Sequence, residues 1–451
     1  MFVETTIVGI ATALGEGGIA IIRLSGENAV KIFERVFYAS KCKPPYRSHQ
    51  FMTGYVMEGE NKIDQAMGVV MYAPNSYTRE DVCEIHTHGG QMAVNYTLQL
   101  LIKEGAIIAE PGEFTKRAFM NGRIDLSEAE AVMGIIHAQS NASLKAASHQ
   151  LQGGQSRFIK DVQEKVIAVL AGMEAHIDYP DEIDEEEALS GLQNGLTDII
   201  EYLSTAVNQR NARIVTEGLR VALCGAPNAG KSTLFNALLG EERAIVTEIA
   251  GTTRDVLQGT FTLDGITVHL LDTAGLHDSQ DTVEKIGIQR AKDSITNADV
   301  VLLLIDSTTE LKESEKELLL QEFKAPSAVI LTKSSQPVLT SEEEIYYYKK
   351  DANIISLSAK EGIGIEKIYN FLRPYITLPQ QHYLTQQRHL QIASEVLSHL
   401  SNTLNYIENQ MPLEMATVDL HEALYLLGQI TGESVDEKLL DDIFSRFCVG
   451  K

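Results

Sequence analysis

Apolar and polar positions change their period along this chain, and the changes mark out its parts. Residues 1–119 alternate over short stretches: Ile7-Val8-Gly9-Ile10, Gly18-Ile19-Ala20-Ile21-Ile22-Arg23-Leu24 and Met67-Gly68-Val69-Val70-Met71. Period-two runs of this length predict strands, and the segments between them, 27–37 and 90–103, predict helices, so this part reads as an α+β module. From 125 to 178 the spacing turns helical, with Ala129, Val132, Met133, Ile136, Val162, Val166, Val169, Leu170 and Met173 as core positions. Asp125-Leu126-Ser127-Glu128 supplies a cap with an acidic first turn. The same texture returns at 386–408 and 413–429, where Ile392, Val396, Leu400, Leu404 and Ile407 form one stripe. The charged run Pro180–Glu187 reads as a solvated turn between helices. In between, strands at 219–224, 300–306, 328–332 and 354–357 alternate with helical stretches near 285–296, 313–323 and 364–373. Phe261–Val268 adds a hairpin around Asp264-Gly265. That alternation predicts a doubly wound sheet with ligands at the C-terminal strand ends.

The resulting division is 1–119, a first helical segment 120–212, an α/β segment 213–378, and a second helical segment 379–451. Charge sharpens it. The 451 residues carry a formal net charge of −24, of which −9 falls on 120–212 and −6 on 379–451. The two helical segments thus hold −15, while 1–119 stands at −2. Such a balance excludes a chain that grips nucleic acid through a broad basic surface of its own, since phosphate neutralisation needs clustered Lys and Arg. No purely apolar run exceeds the six residues of stretches such as Val300–Ile305, against the ~20 that span a bilayer. Met1–Thr5 lacks a basic n-region, and Cys42, Cys83, Cys224 and Cys448 form no CxxC pair. Together these predict a cytoplasmic chain with no membrane association.

The sharpest chemistry follows the strand at 219–224. Gly225-Ala226-Pro227-Asn228-Ala229-Gly230-Lys231-Ser232-Thr233 is GxxxxGK[ST] between a strand and a helix, the setting in which it acts as a phosphate loop. Its amides and the helix N-terminus would cradle the phosphates. Lys231 would reach the β/γ oxygens as a binding and catalytic group, and Ser232 would ligate Mg²⁺. About twenty residues on, Gly251-Thr252-Thr253-Arg254-Asp255 offers threonines to sense the γ-phosphate. Asp272-Thr273-Ala274-Gly275 ends a strand as a Walker B carboxylate with a γ-phosphate contact. Ser358-Ala359-Lys360 suits a base-contacting loop. At the strand end where P-loop GTPases carry Asn-Lys-x-Asp, this chain has Thr332-Lys333-Ser334-Ser335. Lys333 remains, but the carboxylate that accepts the guanine N1 and N2 hydrogens is absent, a loss of about 1.5–3 kcal/mol. On another strand Glu84, His86 and His88 share a face, as a metal site or as ordinary polar positions.

Three further runs make a resemblance specific: Ser76-Tyr77-Thr78-Arg79-Glu80-Asp81 with His88-Gly89-Gly90; Pro111-Gly112-Glu113-Phe114-Thr115-Lys116-Arg117-Ala118-Phe119 with Asn121-Gly122-Arg123; and Cys448-Val449-Gly450-Lys451. With the G-domain motifs, the chain resembles the MnmE (TrmE) family of tRNA modification GTPases over essentially its whole length. The resemblance implies an N-terminal folate-binding and dimerisation domain and a helical domain split by an inserted G-domain. It also implies a homodimer and a heterotetramer with the flavoprotein MnmG. Most tRNA affinity would come from that partner. The pair would add a carboxymethylaminomethyl-type group to C5 of the wobble uridine. Implied cofactors are GTP, Mg²⁺, K⁺ and 5-formyl- or 5,10-methylene-tetrahydrofolate.

Carried over by position, Arg23, Glu80, Arg123 and Lys451 would contact folate, with Cys448 near the one-carbon unit. Mg²⁺ would be held by Ser232 and Thr253. K⁺ would be held by Asn228, Thr247, Ile249 and Thr252, within the loop Thr247-Glu248-Ile249-Ala250-Gly251-Thr252. Glu284 would orient water, since Leu276 stands where many GTPases use Gln. Two other readings stay open on the residues themselves. One is a ribosome-assembly-type GTPase with RNA-binding flanks, against which the lack of a basic module speaks. The other is a regulatory nucleotide-binding protein with little turnover.

Overall fold

The computed structural model describes residues 5–13, 15, 17–179, 185–243, 258–272, 296–376, 384–448 and 450. The first stretch holds β1 (Ile7–Ile10), β2 (Gly17–Ser25), α1 (Ala29–Val36), β3 (Phe37–Ala39), β4 (Met52–Glu58), β5 (Asn61–Met71), β6 (Val82–Gly89), α2 (Gln91–Lys103), β7 (Ile107–Ile108) and α3 (Glu113–Met120). Five helices follow: α4 (Leu126–His137), α5 (Asn141–Leu151), α6 (Gly154–Asp178), α7 (Glu185–Ala206) and α8 (Gln209–Glu217). The α/β stretch runs β8 (Leu219–Gly225), α9 (Lys231–Arg243), β9 (Gln258–Leu263), β10 (Ile266–Asp272), β11 (Val300–Asp306), α10 (Glu313–Leu320), β12 (Ser327–Thr332), α11 (Glu342–Tyr348), β13 (Asn353–Ser356) and α12 (Ile365–Ile376). The last helices are α13 (Gln387–Glu408), α14 (Leu413–Thr431) and α15 (Glu437–Ser445). The chain divides into two compact units, one of residues 1–136, 148–203 and 392–451, the other of 137–147 and 204–391.

In the first unit a seven-stranded sheet runs β3-β4-β5-β6-β2-β1-β7, antiparallel except where β1 meets β7. Helices α1 and α2 pack on it, burying Ile22, Leu24, Phe33, Phe37, Val70, Ile85 and Leu101. The helical stripes behave as their spacing predicts: Val162, Val166, Met173, Val396 and Leu400 are fully buried, and α14 packs along α6. Leu126 and Ala129 join Leu440, Ile443 and Phe444, so segments more than 300 residues apart share one core. The start of α4 is fixed by a reciprocal cap. Asp125 Oδ1 accepts from the Glu128 amide at 2.9 Å, and Glu128 Oε2 accepts from the Asp125 amide at 2.9 Å, satisfying two donors that a helix start leaves open.

Two expectations for this unit differ from what forms. Ile136 is exposed and Val132 half-buried, because Val132 lines a cavity instead of the core. The acidic run does not stay a turn through Glu187, since α7 begins at Glu185. Acidic side chains suit a helix N-terminus, where they meet the positive end of the dipole.

The second unit is a six-stranded sheet ordered β13-β12-β11-β8-β10-β9, parallel except for the β9–β10 hairpin. β11 is buried at every position, as a central strand covered on both faces must be. Asp264 and Gly265 at the hairpin tip have φ of 49° and 84°, the type I′ geometry that matches strand twist. Helix α10 stops at Leu320 and α12 runs on to Ile376 through Pro374. The helix expected near 285–296 lies outside the described residues except at its last position.

Candidate functional sites

The nucleotide loop is built where β8 leaves the sheet. Gly225, with φ 152°, passes so close to β11 that a Cβ there would lie 2.4 Å from the Leu304 carbonyl oxygen. Only glycine permits that approach. The loop then turns through Asn228 (φ 66°) and Gly230 (φ 89°) into α9. Lys231 is buried, and its Nζ donates to the carbonyl oxygens of Gly225 at 2.7 Å and Ala226 at 2.8 Å. Its charge is therefore held at the concave side of the loop. Asn228, Ser232 and Thr233 are exposed there, whereas Ala229 is buried. Asp272 ends β10 in register with Leu223 of β8, which places its backbone beside the loop. Thr247, Glu248, Ile249, Ala250, Gly251, Thr252, Thr253, Thr273, Ala274, Gly275 and Glu284 lie outside the described residues.

The base side is shaped by hydroxyls. Thr332, buried at the end of β12, donates its Oγ1 hydrogen between the carbonyl oxygens of Ala229 at 2.9 Å and Ile305 at 3.2 Å. The residue standing at the Asn position thus ties β12 to the phosphate loop. Ser335 is exposed, and its Oγ lies 3.1 Å from the buried Ser358 Oγ. Lys333 ion-pairs with Asp306 at the end of β11. Asp306 also accepts from the Thr308 amide at 3.0 Å and hydroxyl at 2.7 Å. Burial opposes the Asp306 carboxylate, but hydrogen bonds from Lys333 and Thr308 outweigh it and hold its pKa below the usual range. Sequence reasoning passed over Asp306, although an acid closing the wholly apolar run Val300–Ile305 was a visible signal.

The first unit contains a cavity of about 720 Å³ lined by Arg23, Tyr77, Arg79, Glu84, Arg123 and Val132 among others. Arg23 Nε donates to Glu84 Oε1 at 2.8 Å, and its guanidinium lies 5.7 Å from the Tyr77 ring and 5.8 Å from that of Phe114. The Arg123 guanidinium lies 4.9 Å from the centre of the same Tyr77 ring and donates to the Tyr77 carbonyl at 2.8 Å. Arg23 and Arg123 are thus brought together at one cavity. Glu80 is not among its lining residues. Its carboxylate accepts from Ser25 Oγ at 2.7 Å and from Arg117 at 3.1 Å, and Arg117 also pairs with Glu113 at 2.8 Å. The cavity's carboxylate is Glu84. Burial pushes its pKa up, and His86 and Arg23 more than reverse that, leaving it lowered.

The face shared by Glu84, His86 and His88 is used up in pairs. His86 meets Glu84 at 3.1 Å and His88 meets Asp64 at 2.6 Å. Among the described residues no three His, Cys, Asp or Glu side chains gather as metal ligands. Cys448 is exposed, with its carbonyl accepting from the Gly112 amide at 3.3 Å. Beyond it Gly450 lies against β1, where a Cβ on Gly9 would come 3.0 Å from the Gly450 Cα. Lys451 lies outside the described residues. No helix among the described residues is long and apolar enough to cross a membrane.

Two family models match this chain: the GTP-binding protein TrmE N-terminus over residues 6–123, and the MnmE helical domain over residues 126–448. The tRNA modification GTPase MnmE of Lachnoclostridium phytofermentans is 41% identical over 455 residues, covering 99% of both chains. That of Acetivibrio thermocellus is 39% identical over the full length of both. Among solved structures, Era of Aquifex aeolicus bound to GDP·AlF4⁻ is 26% identical over 40% of this chain and 65% of its own, with a TM-score of 0.29. Since relatives of equal length match the cavity-bearing module, the helical segments and the phosphate-loop domain in one continuous alignment, the chain belongs to the MnmE (TrmE) family of tRNA modification GTPases.

Proposed function

We propose that this chain is a potassium-dependent GTP hydrolase that acts with the flavoprotein MnmG. The pair adds a carboxymethylaminomethyl-type group to C5 of the wobble uridine, position 34, of certain tRNAs, using a tetrahydrofolate one-carbon unit. The observation that carries this reading is that one family-length chain holds both a formed phosphate loop around Lys231 and a separate cavity walled by arginines and tyrosine.

At the phosphate loop, Lys231 supplies the charge for the β/γ oxygens when it leaves the carbonyls of Gly225 and Ala226. The helix N-terminus of α9 adds its positive end. Ser232 fits a Mg²⁺ ligand by its exposure and its place at the start of α9, with Thr253 completing the pair by resemblance. Asn228, Thr247, Ile249 and Thr252 would hold K⁺, a cation placed where charge develops on the transferred phosphoryl group. Glu284 would orient the attacking water. Gly275 and the residues before it would report the γ-phosphate.

The cavity suits an anionic heteroaromatic ligand. Arg23, Arg79 and Arg123 are cations for a carboxylate tail, Tyr77 offers a stacking face, and Glu84 accepts N–H groups. Glu80, which holds Ser25 and Arg117, and Lys451 stay proposed folate contacts with Arg23 and Arg123 by resemblance. Tetrahydrofolate would supply the one-carbon unit when bound, and Cys448 stays a candidate for contact with it through the tail that returns to β1. A homodimer through the N-terminal modules and a heterotetramer with MnmG complete the reading.

The test is reconstitution. The purified chain, its flavoprotein partner, unmodified tRNA, 5,10-methylene-tetrahydrofolate, GTP and an amine donor, glycine or ammonium, should give modified uridine 34 in K⁺ buffer, with folate supplying the methylene and the amine the nitrogen. Activity should fall sharply in Na⁺ and vanish in a Lys231→Ala variant. Equal yields in K⁺ and Na⁺ would remove the potassium role, and full yield without folate would remove the cavity's role.

A further inference from the structure

The base side of the phosphate loop is formed, and its chemistry is not that of a carboxylate reader. In a doubly wound sheet the ligand lies across the C-terminal strand ends. With the phosphates at the β8–α9 loop, the base end extends over the neighbouring ends of β12 and β13. The Thr332 bond to Ala229 fixes that neighbourhood to the loop. Two sets of groups meet a base there. The first is the loop Ser358–Ile363, in which the amides of Ser358, Glu361, Gly362 and Ile363 donate to main-chain carbonyls. Among the described residues the amides of Ala359 and Lys360 have no main-chain acceptor. Main-chain donors at this position recognise a keto oxygen and reject an exocyclic amine. The second set is the hydroxyl pair Ser335 and Ser358, 3.1 Å apart. One hydroxyl is already engaged by the other. Whichever of the two donates, the exposed Ser335 offers a single uncharged oxygen to a base edge that in guanine carries two donors, N1–H and N2–H, where a carboxylate would offer two charged ones.

We propose that this site selects 6-oxopurines as a class and scarcely reads the 2-amino group, taking the hypoxanthine nucleotide nearly as well as the guanine nucleotide. The inference deepens the nucleotide assignment of the proposed function and rests on it. Two neutral hydrogen-bond patterns account for it. The keto group is paired by amide donors, which hypoxanthine and guanine satisfy alike and adenine does not. The 2-amino group finds no charge to pair with, so its removal takes away little binding.

The test is calorimetric titration of the full-length chain with the magnesium complexes of GDP, IDP and ADP, which avoids turnover. IDP should bind within about fivefold of GDP, while ADP should bind at least about tenfold more weakly than either. The exposed Ser335→Asp variant should restore the missing charge and widen the GDP-over-IDP preference by about tenfold or more. A wild-type preference for GDP beyond about tenfold would overturn the proposal. So would an unchanged preference in Ser335→Asp, or ADP binding equal to GDP. Failure of the parent reading looks different: no nucleotide binds the wild-type chain at all, and then the inference falls with it.

Discussion

The lysine and aspartate that face each other at the end of β11 show how a single side chain sets the conditions of the nucleotide side. Asp306 has its folded pKa lowered by Lys333 and Thr308 against the opposing effect of burial. A carboxylate with a depressed folded pKa contributes stability above its ordinary pKa and loses it as the pH falls through the folded value. Urea unfolding should therefore show wild type more stable than Asp306→Asn at pH 7, with the gap closing as the pH is lowered below about 4. A gap that stays constant with pH would mean the pair contributes nothing electrostatic. Arg117 is the corresponding residue in the N-terminal module, with a side chain only 9% exposed between Glu80 and Glu113. Removing one member of such a cluster leaves charge without a partner. Because both carboxylates keep about a fifth of their surface in water, Arg117→Ala should cost about 2–3 kcal/mol, below the fully buried figure. Chemical denaturation checks it, and a loss under about 0.5 kcal/mol would show that water already screens the cluster.

At the scale of elements, what could be read from sequence depended on whether the determining groups are close along the chain. The phosphate loop was legible because strand, glycines, lysine and serine follow one another without interruption, and each has a fixed steric or electrostatic task. The α4 cap was legible for the same reason, and Asp125→Ala should cost about 1 kcal/mol in thermal or chemical unfolding. Helix α11 has an equally local signal that went unread: Ser341 accepts from the Glu344 amide at 3.4 Å, a Ser-x-x-Glu start. Pairings across the sheet were not legible. Arg23 sits opposite Glu84 because β2 and β6 run antiparallel in that register, and periodicity alone does not fix register. Glu80, expected by motif among the folate contacts, has its carboxylate on Ser25 and Arg117, and the carboxylate that lines the cavity is Glu84. The same limit hid Thr332: by sequence it is only a departure from Asn, whereas its bond to Ala229 depends on β12 reaching the loop. Thr332→Val keeps the shape and removes that bond. It should weaken nucleotide binding and cost about 1–2 kcal/mol, because a buried carbonyl loses its donor.

The charge of the whole molecule bears on how a family defined by tRNA modification meets its RNA. A chain at −24, with −15 on its two helical segments, repels a polyanion at long range, and counterion release needs several Lys or Arg brought to the phosphates together. Arg23, Arg79 and Arg123 line one cavity with an aromatic wall and a carboxylate, which suits the small anion of the proposed function better than a phosphate track. With a near-neutral N-terminal module and acidic helices, the expectation is that RNA contact comes mainly from the partner of the proposed function. Two binding series separate the contributions: tRNA titrated with this chain alone, and tRNA titrated with its complex, each between about 50 and 200 mM salt. The isolated chain should bind weakly with a shallow salt slope, and the complex should bind tightly with a slope equivalent to several phosphate contacts. If the isolated chain bound as tightly and with as steep a slope as the complex, the RNA surface would have to be on this chain. The acidic helices would then need a compensating basic patch formed by residues that the net charge conceals.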